Sequence, residues 1–259
     1  HAGLDIFGAG ESGDAQSGHI SEEMYLRLCR QSDGIIFDNG ELSLKVKSEY
    51  HGHMGRFILY YGNVGRAGAI LNLKSSVPLS THFKIQCNQP GSSVEVNAQT
   101  QQLFSVECLT AFEDPPKLII SYSYGMNDRQ IEIRVPLAMN KFVEPFVVNK
   151  DDFFKRWGAI GGAPREEQQV YATPANMTPA KLRERLAELR ISVLTDVDPV
   201  ADNAVGAGVF CCKGGQTGLL VRCEVNAKMH MVRVTARSPS PEVTHIFSKI
   251  FKEQLSCQS

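Results

Sequence analysis

The period of the hydrophobic pattern changes near Pro136, and that change constrains the fold more than any other feature of the chain. Between residues 35 and 136 the sequence reads as strand after strand: "LSLKVKSEY" (42–50), "RFILYYGN" (56–63), "GAILNLK" (68–74), "HFKIQC" (82–87), "QLFSVECLTAF" (102–112), "KLIISYSYG" (117–125) and "QIEIRVPL" (130–137). These segments are β-branched or aromatic, partly alternate with polar residues, and are separated by Gly, Pro and Asn. Helical period is missing from this stretch. About seven such strands predict an all-β, immunoglobulin-like antiparallel sandwich of about 100 residues.

Beyond Pro136 helical signals appear. "DDFFKRWGAI" places Asp151 and Asp152 in a first turn, where acids favour the helix dipole. "TPAKLRERLAELRI" offers Thr178 as N-cap and Pro179 at the first helical position, with Leu182, Leu186 and Leu189 on one stripe. Strands follow at 205–213, 218–225 and 230–237. A last helix, "SPEVTHIFSKIFKEQL", opens at Ser240–Pro241 and turns Val243, Ile246, Phe247, Ile250, Phe251 and Leu255 to one side. This half is α+β, helices on a small antiparallel sheet. The expected organisation is a tether at 1–20, rich in Gly, Ser and Asp, a sandwich at 21–137 and an α+β unit at 138–259.

A formal net charge of −1 provides no global field for DNA or a membrane surface, so charge-based recognition must come from a local patch. The seven cysteines are odd in number and show no C-x-x-C pair, which reads as reduced thiols of a cytosolic protein. No stretch reaches the ~20 apolar residues of a membrane span, and no secretory signal is present. A chain opening "HAGLDIF" without methionine is expected to be a piece of something longer.

Most chemical motifs fail on context. "GAGESG" (8–13) matches a dinucleotide fingerprint but lacks a strand before it and an apolar helix after it, so it reads as linker. His51 and His53 fall at an expected hairpin tip with no third ligand. His230 and His245 lack a nucleophile partner, and no nucleophile elbow is present. "NMT" at Asn176 fits a glycosylation acceptor that a cytosolic chain would not use. No enzyme, cofactor or metal is expected.

Trp157, the single tryptophan, remains. On a helix Phe153, Trp157 and Ile160 fall within about 60°, with Phe154 about 100° from Phe153. A wide buried stripe and an exposed aromatic pair fit this geometry equally. Alternation puts Arg222 and Glu224 on one strand face and Arg233, Thr235 and Arg237 on another, so three arginines face away from the core. A solvated charged face and a binding face both remain open.

These segments carry a resemblance. "DFFKRW", "VGAGV", "GLLVRCE" and "MVRVTAR" resemble the platform subdomain of alpha-adaptin appendages, and "LKVKSEYHGHMGRFILYYGN", "QTQQLFSVEC" and "VPLAMNKFVEP" resemble the sandwich subdomain of that ear and its join. The resemblance runs from about residue 23 to about residue 255 in one order. It implies a non-catalytic interaction hub of the clathrin adaptor complex of endocytosis, cytoplasmic and peripheral at coated pits of the plasma membrane, its tether being the end of a flexible hinge. It also implies partners: the other adaptor subunits, and disordered tails of epsin-like and amphiphysin-like accessory proteins. The family's platform site, which takes Asp-Pro-Phe, Asp-Pro-Trp and Phe-x-Asp-x-Phe peptides, falls on Phe154, Trp157, Arg222, Glu224, Arg233 and Arg237. Its sandwich site, for Trp-x-x-Phe peptides, falls on Lys47, Tyr60 and Gln99. Tyr60 departs from the animal pattern, which has phenylalanine there, and its hydroxyl would need a partner if buried. The rival readings are a beta-type or coat-protein gamma-type appendage, an enzyme on the same scaffold, and a phosphoinositide or nucleic-acid binder using the three arginines.

Overall fold

The computed structural model describes residues 19–257. The expected tether lies outside the described residues except for His19 and Ile20. His19 bridges to Phe37 and Ile20 packs against the core.

The first half opens with a helix that the sequence reading did not anticipate, α1 (Glu22–Arg30). Its signals are local: the Ser21 hydroxyl accepts from the Met24 amide at 3.2 Å, two glutamates occupy the first turn, and Tyr25, Leu28 and Cys29 form a buried stripe. Eight strands follow: β1 (Asp33–Asp38), β2 (Leu42–His51), β3 (Met54–Asn63), β4 (Ile70–Ser76), β5 (Phe83–Cys87), β6 (Gln99–Cys108), β7 (Lys117–Tyr124) and β8 (Asn127–Arg134). They form a five-stranded antiparallel sheet, β1-β2-β3-β6-β5, and a three-stranded one, β4-β7-β8. Alternation is strict where it matters. Leu42, Leu44 and Val46 of β2, Phe57, Leu59 and Tyr61 of β3, and Phe104 and Val106 of β6 point inward. Leu118, Ile120 and Tyr122 of β7 answer them from the second sheet. The unexpected strand is β1, too short and too rich in Gly and Asp to show a period.

After a 3-10 turn (Met139–Phe142) come β9 (Val143–Pro145), α2 (Lys150–Ile160), β10 (Glu166–Ala172), α3 (Pro179–Glu188), β11 (Ser192–Leu194), β12 (Ala204–Cys212), β13 (Gly215–Asn226), β14 (Met231–Arg237) and α4 (Pro241–Ser256). The sheet order is β10-β14-β13-β12-β11, with β9 also paired to β12. Three of these strands were not expected: β9 and β11 have three residues each, and "EEQQVYA" of β10 is an edge strand with almost no apolar alternation. One face of the sheet, with Leu219, Val221, Cys223, Val232, Val234 and Ala236, joins the main core with residues of α3 and α4. The other face carries α2.

One buried cluster runs through both halves, and the C-terminal end of α1 is tied across the join. Arg30 pairs with Glu188 at 2.9 Å, Gln254 donates to the Leu26 carbonyl at 3.1 Å, and Asn140 donates to the Cys29 carbonyl at 3.1 Å. Lys141 donates to the Gln31 carbonyl from a buried position, and burial pushes its amine down to about 8.

Candidate functional site

α2 begins where Asn149 accepts from the Asp152 amide at 2.9 Å, and it ends at Gly161, whose φ of 78° few side chains adopt. The helix resolves the ambiguity of its aromatic stripe by grading it. Phe153 is fully buried with Ile160 against Leu194, Val197, Val205, Ala207 and Leu220. Trp157 is half-buried and stacks on Phe153 with ring centroids 5.5 Å apart. Phe154 stands out at 44% exposure, edge-on to Phe153. The three rings thus form a step from core to solvent.

Arg237 closes one side of that step. Its guanidinium lies 4.3 Å from the Trp157 ring centroid, donates to the Trp157 carbonyl at 2.5 Å, and pairs with Glu166. Strand register explains the pairing: Glu166 of β10 sits directly opposite Arg237 of β14. In the same way Glu224 of β13 sits opposite Arg233, which grips it with two hydrogen bonds of 2.6 Å. Those donors hold the Glu224 carboxyl below its ordinary range, against the opposing effect of burial. Arg222 donates to Asp198 at 2.7 Å and pairs with Glu224 at 3.2 Å. Burial would raise the Asp198 carboxyl. Arg222, the Val200 amide and Asn203 more than offset it and hold the group below its usual value.

The face with three arginines is therefore not a cationic patch. Three arginines, 222, 233 and 237, are matched by three carboxylates, Asp198, Glu224 and Glu166. Thr235, expected among the exposed residues of this face, is buried and donates to Gln168 at 3.3 Å. All six platform residues nonetheless share this one face, with Phe154 and Trp157 on the helix that overlies it.

On the first half, Lys47, Tyr60 and Gln99 lie on the outer face of the five-stranded sheet, on the adjacent strands β2, β3 and β6. Tyr60 is opposite Lys45 and Gln101, so Lys47 and Gln99 are each two residues away along the neighbouring strands and the three define a diagonal. Gly62 lies between Ser43 and Gln99 on that face. Tyr60 is half-exposed, which removes the need for a buried partner for its hydroxyl.

The other candidates do not assemble. His51 ends β2 and its side chain is 97% exposed, and His53 sits in the turn. His245 pairs with Glu167 at 2.7 Å, while His230 occupies the turn before β14 rather than the strand. Among the described residues no three His, Cys, Asp or Glu side chains gather as a metal site would require, and no helix is long and apolar enough to cross a membrane.

Comparison with known proteins matches the two halves separately. Residues 141–255 match the family described as "Alpha adaptin AP2, C-terminal domain", and residues 32–136 match "Adaptin C-terminal domain". The chain belongs to the alpha-adaptin appendage family. It is 30% identical over 234 residues to the AP-2 complex subunit alpha-2 of Dictyostelium discoideum, which covers 89% of this chain and 24% of that one. It is 27% identical over 236 residues to the AP-2 complex subunit alpha of Schizosaccharomyces pombe, covering 89% and 26%. It is 25% identical over 240 residues to the AP-2 complex subunit alpha-2 of Arabidopsis thaliana, covering 92% and 24%. The chain thus spans about a quarter of the length of these relatives.

In this appendage the residues that sequence reasoning missed are two of the three carboxylates, Asp198 and Glu166. Asp198 comes from the loop after β11, where "DPV" signals a turn but not a partner. Glu166 comes from β10, which shows no strand period. Only pairing across the sheet brings Glu166 to Arg237.

Proposed function

We propose that this appendage recruits accessory proteins of clathrin-mediated endocytosis by binding short linear motifs in their disordered tails, as part of a cytoplasmic adaptor complex peripheral to coated pits of the plasma membrane. The observation that carries the reading is the aromatic step of Phe154 and Trp157 set against Arg222 and Arg237. An apolar ring of an Asp-Pro-Phe, Asp-Pro-Trp or Phe-x-Asp-x-Phe peptide gains burial against Phe154 and Trp157. Its carboxylate is met by guanidinium N–H groups left over from the internal pairs: Arg222 uses Nε toward Asp198 and Nη1 toward Glu224, leaving Nη2 for a ligand. Such a peptide covers little area and is ordered on binding, so affinity per motif falls in the micromolar range and repeated motifs act by avidity. Lys47, Tyr60 and Gln99 offer a second station for Trp-x-x-Phe peptides, with the phenol ring as the stacking surface. The role is one of binding, with no catalysis.

The test is a titration of Asp-Pro-Phe and Phe-x-Asp-x-Phe peptides, with the fluorescence of the single tryptophan and heat release followed together. A saturable micromolar response that is lost when the peptide Asp or Phe becomes Ala supports the reading. No response from the folded protein overturns it. A phosphoinositide role is disfavoured because Asp198, Glu224 and Glu166 neutralise the three arginines.

A further inference from the structure

α2 has two flanks, and the aromatic step uses one. With Phe153 pointing at the sheet, Trp157 lies about 40° and Phe154 about 100° round one side, while Ile160, Arg156 and Ala159 lie about 20°, 60° and 120° round the other. This second flank overhangs a cleft of about 450 Å³ between α2 and the β12–β13 hairpin. Its walls are Phe146, Ile160 and Leu220. Its hollow comes from Gly218, on the same face of β13 as Leu220 and opposite Val209, where an added Cβ would meet nothing within 4 Å.

The rim of the cleft is cationic. Arg156 holds its guanidinium 5.4 Å from the Phe146 ring centroid, and Arg165 reaches the same opening. Both are exposed, and neither forms an ion pair with a carboxylate among the described residues. Arg222, Arg233 and Arg237 on the first flank are all paired. No Asp or Glu lines the cleft. An apolar hollow large enough for a side chain and its neighbouring peptide units, bordered by two unpaired forks, fits one ligand chemistry.

We propose that this cleft is a further, separate peptide site on the α+β half, taking a segment with one bulky apolar side chain flanked by acidic residues. The apolar side chain fills the space over Gly218, and the flanking carboxylates pair with Arg156 and Arg165. An anionic headgroup or polyphosphate would use the two arginines but leave the hollow unfilled, so the apolar volume favours the peptide. The inference does not depend on the role given to Trp157. With both sites occupied, one disordered tail would straddle α2 and gain avidity without a new contact.

The test is a titration of the 15N-labelled 259-residue chain with acetyl-Glu-Asp-Asp-Leu-Asp-Asp-amide, followed by amide chemical shifts. Saturable shifts at Ala159, Ile160, Gly208 and Gly218 are expected, and they should persist in Trp157→Ala. Arg156→Gln and Arg165→Gln should each raise Kd by about fivefold, the order of one solvent-exposed ion pair. Gly218→Leu, which fills the hollow, should remove the shifts, and if that variant unfolds the two arginine variants still decide. The proposal is overturned if the folded chain shows no saturable shift, or if the shifts fall only around Arg233 and Arg237. It is also overturned if replacing the peptide Leu with Ser leaves affinity unchanged, or if inositol hexakisphosphate reproduces the response, since either marks a plain anion patch.

Discussion

Arg237 both covers and anchors Trp157: its guanidinium lies 4.3 Å from the indole centroid and donates to the carbonyl of the same residue at 2.5 Å. The strand and the helix are thereby fixed at the point where the proposed ligand ring would land. Glu166, across the ladder, holds the guanidinium from its other side. Replacing Arg237 by Lys keeps the charge but loses the planar fork that serves Glu166 and the carbonyl together. We expect Arg237→Lys to weaken Asp-Pro-Phe peptide binding about tenfold and to alter the tryptophan emission of the free protein. Calorimetry and fluorescence would show this, and unchanged affinity would mean the fork is only structural.

The graded burial of the aromatic step separates fold from function. Phe153→Ala empties a fully buried site and is expected to cost about 3–5 kcal/mol of stability. Trp157→Ala removes a half-buried ring, so a smaller loss of about 1–3 kcal/mol is expected, together with loss of peptide binding at the platform. Denaturant unfolding of both variants beside calorimetry would check the contrast. A larger loss for Trp157→Ala than for Phe153→Ala would place the indole in the core.

Acid should loosen the ion-pair lattice. Glu224 and Asp198 titrate below their ordinary values of 4.5 and 3.8 when folded. The unfolded chain therefore binds protons first as pH falls, and the stability these groups contribute, complete above about pH 5, is lost as pH drops through their folded values. Glu224→Gln should be less stable than the parent at pH 7 and show a shallower loss below pH 4.5. Denaturant midpoints at pH 7 and pH 3.5 provide the comparison, and parallel losses would remove Glu224 from the account.

Tyr60 presents a half-exposed ring on the outer sheet face, so its hydroxyl is not needed for folding. Tyr60→Phe is expected to leave stability within about 0.5 kcal/mol and to keep Trp-x-x-Phe peptide binding, whereas Tyr60→Ser should abolish that binding. Surface plasmon resonance with an immobilised peptide would tell them apart. Equal binding by the Ser variant would move the site away from this diagonal.

α1 is the element most easily underrated from sequence. Relative to a truncated chain that starts at His19, removal through Arg30 takes buried Leu28 and Cys29 out of the core and leaves Glu188 and Gln254 without Arg30. A fall in melting temperature of more than about 5 °C is expected for the second truncation, and calorimetric scans of both would measure it.

What the sequence determined by itself was local. Side-chain alternation marked β2 to β8, the caps at Thr178 and Ser240 marked α3 and α4, and two-residue spacing put Arg222 with Glu224 and Arg233 with Arg237 on their faces, because strand and helix periods are properties of neighbouring residues. The strands it hid, β1, β9, β10 and β11, are short or polar and exist because a partner strand completes their hydrogen bonds. Tertiary structure alone decided how deep Trp157 sits: helix period already placed Phe153 beside its ring, but Arg237 and the buried side of the indole were settled only once α2 had docked on the sheet. It also decided that the arginine face is neutral. Register sets Glu166 against Arg237 and Glu224 against Arg233, and a loop brings Asp198 to Arg222, and these distances depend on strands meeting across the fold rather than on any spacing along the chain.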